Sequence, residues 1–324
     1  MQFPGQGKAP LGVVYSTTMN RPDAALALAM LDGYEGKREA RVAAVAVNGS
    51  ELDAARFCDI VNRFYLGPGP IPNSNNRLPV GFAADDPQAL DDPMAKGVLY
   101  LLNDKGEPLY PCGVTRVSDT AEVQALIRNA LTNTADQNAV VVLSAPATCL
   151  AAVLDLPLVR ELIIAKVKAL VVSDSGARQD VAAARKLLAA WPAPVVFCPR
   201  ELGEALRFPG SSIEKDFAWT PAHPVAHAYR VYRAMPYDAA SWDMAAMLYA
   251  VHPDAGLFHA SETGTIQLRQ DGSFEFHRSA EGKHKSLSFE PAQKDKIVQA
   301  YIEIASAKPV PRPARFGPPV KKQP

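Results

Sequence analysis

The sequence lacks any long apolar run and any excess of one charge. No stretch approaches the roughly 20 apolar residues that a membrane-spanning helix needs, and residues 1–10 lack the apolar segment of a signal peptide. Lysine plus arginine equal aspartate plus glutamate at 34 each, so no overall field favours nucleic acid or an anionic membrane. We therefore expect a soluble protein with neither partner. A cytoplasmic location and export with the signal already removed both stay open.

Three common kinds of site are also missing from the sequence. No G-x-S-x-G segment occurs, which argues against a serine hydrolase. His223 and His227 have the spacing of metal ligands on a helix, but Pro224 lies between them and no glutamate follows the first histidine, unlike in metalloproteases. The cysteines never form a CxxC pair, so we expect free, mostly buried thiols rather than a zinc site or disulfides at Cys58, Cys112, Cys149 and Cys198.

What the sequence does contain is an alternation of short β-branched runs and helical patterns, which is typical of βαβ units. The predicted strands are Leu11–Thr17, Arg41–Val47, Leu78–Phe82, Ala139–Ser144, Ala169–Ser173 and Pro194–Cys198. Helices are predicted at Pro22–Tyr34, Glu51–Tyr65, Thr120–Leu131, Asp180–Ala190, Pro224–Ala234, Trp242–His252 and Pro291–Ala307, with further helices between Pro146 and Lys168. We expect an α/β fold, an open and mostly parallel sheet flanked by helices with a Rossmann-like core.

The domain organisation follows from where these patterns stop. We predict one α/β domain over residues 1–307, with an alternating hairpin over 265–277 that turns at Asp271-Gly272. Residues 308–324 hold six prolines and no apolar periodicity, so we predict a basic, proline-rich tail that is disordered or draped on the surface. Such a tail is either a solvated terminus or a ligand for an aromatic-lined groove.

Polar residues follow four of the predicted strands. They lie in segments 16–23, 48–50, 145–148 and 174–176. Ligands of open parallel sheets bind beyond the carboxyl ends of the strands, where these segments would converge. The sequence therefore predicts a polar crevice at that edge of the sheet.

Five segments in and around these loops carry a resemblance to a known family. They are V-V-Y-S-T-T-M-N-R-P-D-A-A-L-A-L from residue 13, Val47-Asn48, Leu78-Pro79-Val80, residues 144–151, and residues 241–245 with Pro253 downstream. In the same order they resemble the D-x-D-P-G-x-D-D-A loop, the Gly-Asn pair, the I-P-V strand, the G-P-L-T-N-L-A segment and the H-D-P-x-A motif of the inosine/uridine-preferring nucleoside hydrolases. The resemblance spans residues 11–307 and implies the fold of that family.

The resemblance implies a Ca²⁺ ion that binds ribose hydroxyls and the water that attacks the anomeric carbon. On this basis Asp23 and Asp243 are the predicted catalytic residues, and Asp23, Asp243 and Thr148 are the predicted Ca²⁺ ligands. The general-base aspartate of the family falls on Thr18 and another loop aspartate on Pro22, neither of which can take a proton or act as a carboxylate ligand. We therefore expect weak Ca²⁺ binding at most, and no nucleotide cofactor.

The resemblance also implies contacts with a substrate. Asp174 is the only acid left in the segment that matches M-G-G … E-F-N, and Trp242 stands at the histidine that assists the leaving base in some members. Tyr229 and Arg233 are four apart on a predicted helix, like the Tyr/Arg pair that some members place against the base, although a packing tyrosine and an exposed arginine explain the spacing equally well. Together with Asn48, these residues form the predicted substrate site.

A structural interpretation of the two aspartates also stays open. Asp23 and Asp243 both fall in the first turn of a predicted helix, where the helix dipole favours an acid, and Asn20 and Ser241 are candidate N-caps.

Two hypotheses for function remain. One is hydrolysis of the N-glycosidic bond of a ribonucleoside or related ribosyl compound. The other is a non-catalytic protein that keeps the cleft for a nucleoside or sugar, or keeps only the scaffold for a partner. The family further implies a homo-oligomer.

Overall fold

A single mixed sheet of ten strands organises the residues that the computed structural model describes, namely 9–49, 51–66, 80–84, 93–175, 180–269 and 272–310. The strands are β1 (Leu11–Thr17), β2 (Ala40–Asn48), β3 (Val80–Ala83), β4 (Ala139–Leu143), β5 (Val167–Ser173), β6 (Val195–Cys198), β7 (His259–Ala260), β8 (Gly264–Leu268), β9 (Phe274–Arg278) and β10 (His284–Ser288). Their spatial order is β3-β2-β1-β4-β5-β6-β10-β8-β9, with β7 paired to β10.

The six strands β1 to β6 are parallel, and β10 continues the parallel part beside β6. Strands β8 and β9 form an antiparallel hairpin at one end of the sheet. All five residues of β4 are buried, as expected for a strand that helices cover on both faces. The expectation of an open, mostly parallel sheet is confirmed.

Helices pack on both faces of this sheet. They are α1 (Pro22–Gly36), α2 (Asp53–Leu66), α3 (Pro93–Leu99), α4 (Val123–Thr132), α5 (Thr148–Val153), α6 (Val159–Lys166), α7 (Val181–Ala190), α8 (Arg200–Ala205), α9 (Gly210–Lys215), α10 (Pro224–Tyr232), α11 (Trp242–Val251) and α12 (Lys294–Ala305). One buried cluster joins α1, α2, α3, α10, α11 and α12 to the sheet, and a second joins α4, α5, α6 and α7. Helix α1 is buried from its first residue to Tyr34, which explains why its sequence is apolar on every side.

The predicted elements differ from the observed ones mainly at their ends. The helix that begins at Pro224 ends at Tyr232 rather than Ala234, and Arg233 follows it in an extended conformation with φ −157°. The prediction that Tyr229 and Arg233 share one helix is therefore wrong. Strand β10 was not predicted.

Among the helices of the described residues, none combines the length and the apolar character that a membrane-spanning helix requires.

Some predictions fall on residues that the structure does not describe. Leu78 and Pro79 of the third predicted strand, Asp271 of the hairpin turn, and residues 311–324 of the predicted tail lie outside the described residues. The hairpin itself is confirmed by the pairing of β8 with β9.

A buried histidine marks the contact of α10 with α2. His223 is 1% exposed, and its ring lies 4.7 Å from that of Phe64, 4.8 Å from Phe217 and 5.4 Å from Trp219. Its Nε2 is 3.3 Å from the hydroxyl of Tyr65. Burial, with smaller contributions from nearby cationic groups, lowers the pKa of His223 to about 3. The ring is therefore neutral in the folded protein at neutral pH, as a packing residue requires.

We predict that His223 makes the fold acid-sensitive. Its pKa is lower in the folded than in the unfolded chain, so its contribution is complete above about pH 6.5 and is lost as the pH falls towards 3. Near pH 5 the loss amounts to about 2 kcal/mol of unfolding free energy. Urea unfolding at pH 7 and pH 5 should show this difference for the wild type and a smaller one for His223→Gln. Substitution of an exposed histidine, His259→Gln, should leave the difference unchanged; equal pH dependence in all three proteins would contradict the prediction.

Candidate functional site

The loop between β1 and α1 brings an arginine and an aspartate to the carboxyl end of the sheet. Met19 is fully buried with φ 54°, and its backbone N–H donates to Thr17 Oγ1 at 3.0 Å. The Thr18 hydroxyl donates to Asn20 Oδ1 at 2.8 Å. Asn20 is therefore not the N-cap that the sequence predicted; Arg21 occupies that position, without a capping side-chain hydrogen bond.

The carboxylate of Asp243 accepts hydrogen bonds from three strands. The Tyr15 hydroxyl on β1 donates to Oδ2 at 2.7 Å, and the Ser144 hydroxyl after β4 donates to the same oxygen. The Ser173 hydroxyl at the end of β5 donates to Oδ1 at 3.2 Å. Asp243 is 0% exposed. Three neutral hydroxyl donors from neighbouring strands thus stabilise the buried carboxylate of Asp243.

Asp23 lies beside this cluster and is also buried, with 1% of its surface exposed. The backbone N–H of Asp243 donates to Asp23 Oδ2 at 3.1 Å, and Arg21 Nε lies 3.4 Å from Asp23 Oδ1. Burial and the charge of Asp243 raise the pKa of Asp23 well above its usual range, against the opposing effect of Arg21. The two predicted aspartates are therefore neighbours in one buried network.

Trp242 forms the more exposed side of this network. Its ring centre lies 5.6 Å from the guanidinium carbon of Arg21 and 5.5 Å from that of Arg200. Its indole N–H donates to the Arg200 carbonyl at 3.1 Å. Helix α8 approaches the ring so closely that a Cβ added at Gly203 would lie 2.3 Å from Trp242 Cδ1. The close approach of α8 thus fixes the indole at the edge of the site.

Two other predicted residues lie at the ends of strands, and a third begins the helix after β4. Asn48 ends β2, and its Nδ2 donates to Cys149 Sγ at 2.9 Å, while its Oδ1 is buried without a partner among the described residues. Thr148 begins α5 directly before that cysteine. Asp174 follows β5, and its backbone N–H donates to the carbonyl of Cys198 at 2.9 Å. Asn48 and Asp174 thus lie at the predicted edge of the sheet, and Thr148 lies at the start of the helix that follows β4.

Tyr229 and Arg233 both contact the ring of Tyr237. Tyr229 is fully buried; its ring stacks on that of Tyr237 at 4.4 Å, and its hydroxyl donates to the Tyr237 carbonyl at 2.8 Å. The Arg233 guanidinium carbon lies 5.7 Å from the centre of the Tyr237 ring. The tyrosine thus packs in the core and the arginine is exposed. A contact of either residue with a substrate stays a prediction.

The described residues do not fit a Ca²⁺ ion. This ion takes six to eight oxygen ligands, several of them from carboxylates. The oxygens of Asp243 accept three hydroxyl hydrogen bonds, and those of Asp23 face an N–H group and a guanidinium. In the part of the chain that the structure describes, no group of three or more His, Cys, Asp or Glu residues can hold a metal ion.

Sequence reasoning missed four residues of the network. The sequence patterns place Tyr15, Ser144 and Ser173 only in predicted strands, and Arg21 only in a loop. A weak signal was available, because all three hydroxyl residues lie within two residues of the carboxyl end of a predicted parallel strand. That signal does not show that the three side chains share one acceptor.

We predict that Asp243 stabilises the fold through its three acceptor bonds rather than through the helix dipole alone. In Asp243→Asn an amide N–H₂ replaces one acceptor oxygen and faces hydroxyl donors, so the free energy of unfolding should fall by about 3 kcal/mol. The matched control is Asp295→Asn, an exposed acid in the first turn of α12. It should cost at most about 1 kcal/mol in the same urea unfolding experiment. Equal losses in the two variants would show that only the dipole matters.

Comparison with known proteins bears on the fold. No protein-family profile matches the sequence, and no curated protein matches it. Among solved structures, the inosine-uridine preferring nucleoside hydrolase from Bacillus anthracis has a TM-score of 0.64 at 13% identity, over 92% of this chain and 99% of that one. An inosine-guanosine nucleoside hydrolase has a TM-score of 0.65 at 14% identity, over 91% and 99%.

A plant nucleoside hydrolase, PpNRh1, is similar to the same extent, with a TM-score of 0.63 at 15% identity over 92% of this chain and 99% of that one. At such low identity a likeness of structures shows the fold and not the chemistry. The fold that the sequence motifs implied is confirmed. This chain therefore has the nucleoside hydrolase fold.

Proposed function

We propose that this protein binds a nucleoside or a related ribosyl compound at the carboxyl edge of the sheet, without a metal ion and without hydrolysing it. The observation that carries the proposal is the state of Asp243, whose oxygens already accept three hydroxyl hydrogen bonds inside the fold. The ligand class rests on the solved structures of the same fold, which are named as nucleoside hydrolases.

The argument against hydrolysis concerns the attacking water. A general base needs a lone pair within hydrogen-bond reach of that water. Asp243 and Asp23 are 0% and 1% exposed, and their oxygens are directed at groups of the protein itself. With the base position of the family at Thr18, no described residue of the network is arranged to activate a water.

The argument for ligand binding concerns the polar atoms that lack partners. Several buried polar atoms lack a hydrogen-bond partner within the described residues, among them Oδ1 of Asn48, Oγ of Ser16 and Nη2 of Arg21. Buried polar atoms of this kind are normally satisfied by water or a ligand. They lie on β1, at the end of β2 and in the loop after β1. Trp242, half-buried and contacted by Arg21 and Arg200, is an aromatic side chain of the kind that stacks on a nucleobase when a ligand displaces a guanidinium from its ring. A ribosyl compound supplies hydroxyl donors and acceptors together with an apolar ring.

One observation favours hydrolysis as a second candidate. The pKa of Asp23 is raised by burial and by the charge of Asp243, and a carboxylate with a raised pKa is better matched to proton transfer at neutral pH. If the loop after β1 rearranged to admit substrate and water, Asp23 would be the base. The reaction would then be cleavage of the N-glycosidic bond, with water supplying the hydroxyl group on ribose.

We predict that the protein binds inosine or uridine without releasing ribose. A reducing-sugar assay on a panel of purine and pyrimidine nucleosides should give no product with CaCl₂ or with EGTA, and calorimetry should show binding that EGTA does not change. Trp242→Ala should weaken that binding about tenfold, because stacking on an aromatic side chain is worth about 1–3 kcal/mol per base. The control is Tyr100→Ala, which removes an aromatic side chain that is 68% exposed after α3.

Two results would contradict this proposal. Ribose release that disappears in Asp23→Asn, at a nearly unchanged melting temperature, would establish the hydrolase. Neither binding nor release with any nucleoside would leave the fold as a scaffold for another partner.

A further inference from the structure

Arg21 is the only cationic side chain for which the structure gives an ion pair with either buried aspartate of the site, within the described residues. Its side chain is 16% exposed, and its Nε lies 3.4 Å from Asp23 Oδ1. Burial lowers the pKa of Arg21, but the charges of Asp23 and Asp243 outweigh that effect and raise it. The guanidinium therefore forms an ion pair with Asp23, and the charge of Asp243 also favours its positive form.

The other charged and titratable groups nearby do not supply the same charge. Arg200 also contacts Trp242, but its Nε bonds to Glu204 at 2.9 Å. Tyr15 and Tyr232 interact electrostatically with Arg21, yet neutral phenols carry no positive charge. The hydroxyl donors to Asp243 are neutral as well. Two charged carboxylates buried side by side repel each other, and a cation beside them offsets that repulsion.

The backbone around Arg21 directs the side chain inward. Met19, two residues earlier, is left-handed with φ 54°, and Arg21 itself is extended with φ −138° and ψ 153°. Pro22 then starts α1 at once, with a φ that its ring fixes. Pro22 also stands at a position where the resemblance implies a further loop aspartate. The site therefore has one negative charge fewer than the resemblance implies, and Arg21 adds a positive charge.

We propose that Arg21 is the built-in cation of this buried network, and that its guanidinium supplies the positive charge for which the resemblance implies Ca²⁺. The arginine fits this site better than the metal ion does, because its Nε lies 3.4 Å from Asp23 Oδ1 while the hydroxyl hydrogen bonds of Asp243 stay intact. The inference goes beyond the proposed function, since it concerns the charge balance of the fold and can be read without any ligand.

A double-mutant cycle on unfolding tests the proposal. Arg21→Met keeps the length and apolar stem of the side chain and should lower the folding equilibrium constant about tenfold or more when Asp23 is present. With Asp23→Asn, which keeps an oxygen for the Asp243 N–H group, the same substitution should cost less than about threefold. Arg200→Met is the matched control on the other guanidinium near Trp242, and should cost less than about threefold in either background.

Each alternative outcome decides the question. An equal cost of Arg21→Met in the wild-type and Asp23→Asn backgrounds, or a cost no larger than that of Arg200→Met, would overturn the proposal. If Arg21→Met does not fold, recovery of folding in the Arg21→Met/Asp23→Asn double variant supports the charge role, and failure of that variant too assigns Arg21 a packing role and overturns it. Calorimetric titration of the wild type with CaCl₂ should show no site; binding tighter than about millimolar would also overturn the proposal.

Discussion

The carboxylate of Asp243 ties the first turn of α11 to the middle of the sheet. Its donors come from β1, from the residue after β4 and from β5, so one side chain joins three adjacent parallel strands to a helix. Buried polar groups cost little when all their bonds are made and much when one is missing. The carboxyl edge of the sheet therefore depends on this one acceptor.

The same interaction constrains the chemistry at this edge of the sheet. Three hydroxyl hydrogen bonds leave Asp243 little remaining capacity to bind a metal ion or a water. The second carboxylate, Asp23, contacts the backbone N–H of Asp243 and the side chain of Arg21. The guanidinium of Arg21 then balances the negative charge of the aspartates. It does so as a hydrogen-bond donor, whereas a metal ion would need oxygen ligands. A site built this way suits recognition of polar groups better than activation of a water.

Much of the fold could be predicted from the sequence, because the central strands and helices have strong local patterns. The predicted first strand has the bounds of β1, and the valine-rich fourth one differs from β4 by one residue. Strand β10 was missed because His284–Ser288 is a short, polar segment that becomes a strand only by pairing with its neighbours β6, β7 and β8. The end of α10 was misplaced because Val231, Tyr232 and Arg233 continue its pattern without a stop signal.

The sequence by itself determined the layered α/β fold and, through the resemblance, the pairing of Asp23 with Asp243. Only the tertiary structure decided what surrounds them. The donors to Asp243 stand 228, 99 and 70 residues away along the chain, and no local pattern encodes contacts over such separations. Arg21 is two residues from Asp23, yet the direction of its side chain depends on the conformation of the loop, in which Met19 is left-handed and buried. Local periodicity fixes the elements, whereas the convergence of side chains at a strand edge depends on how those elements pack.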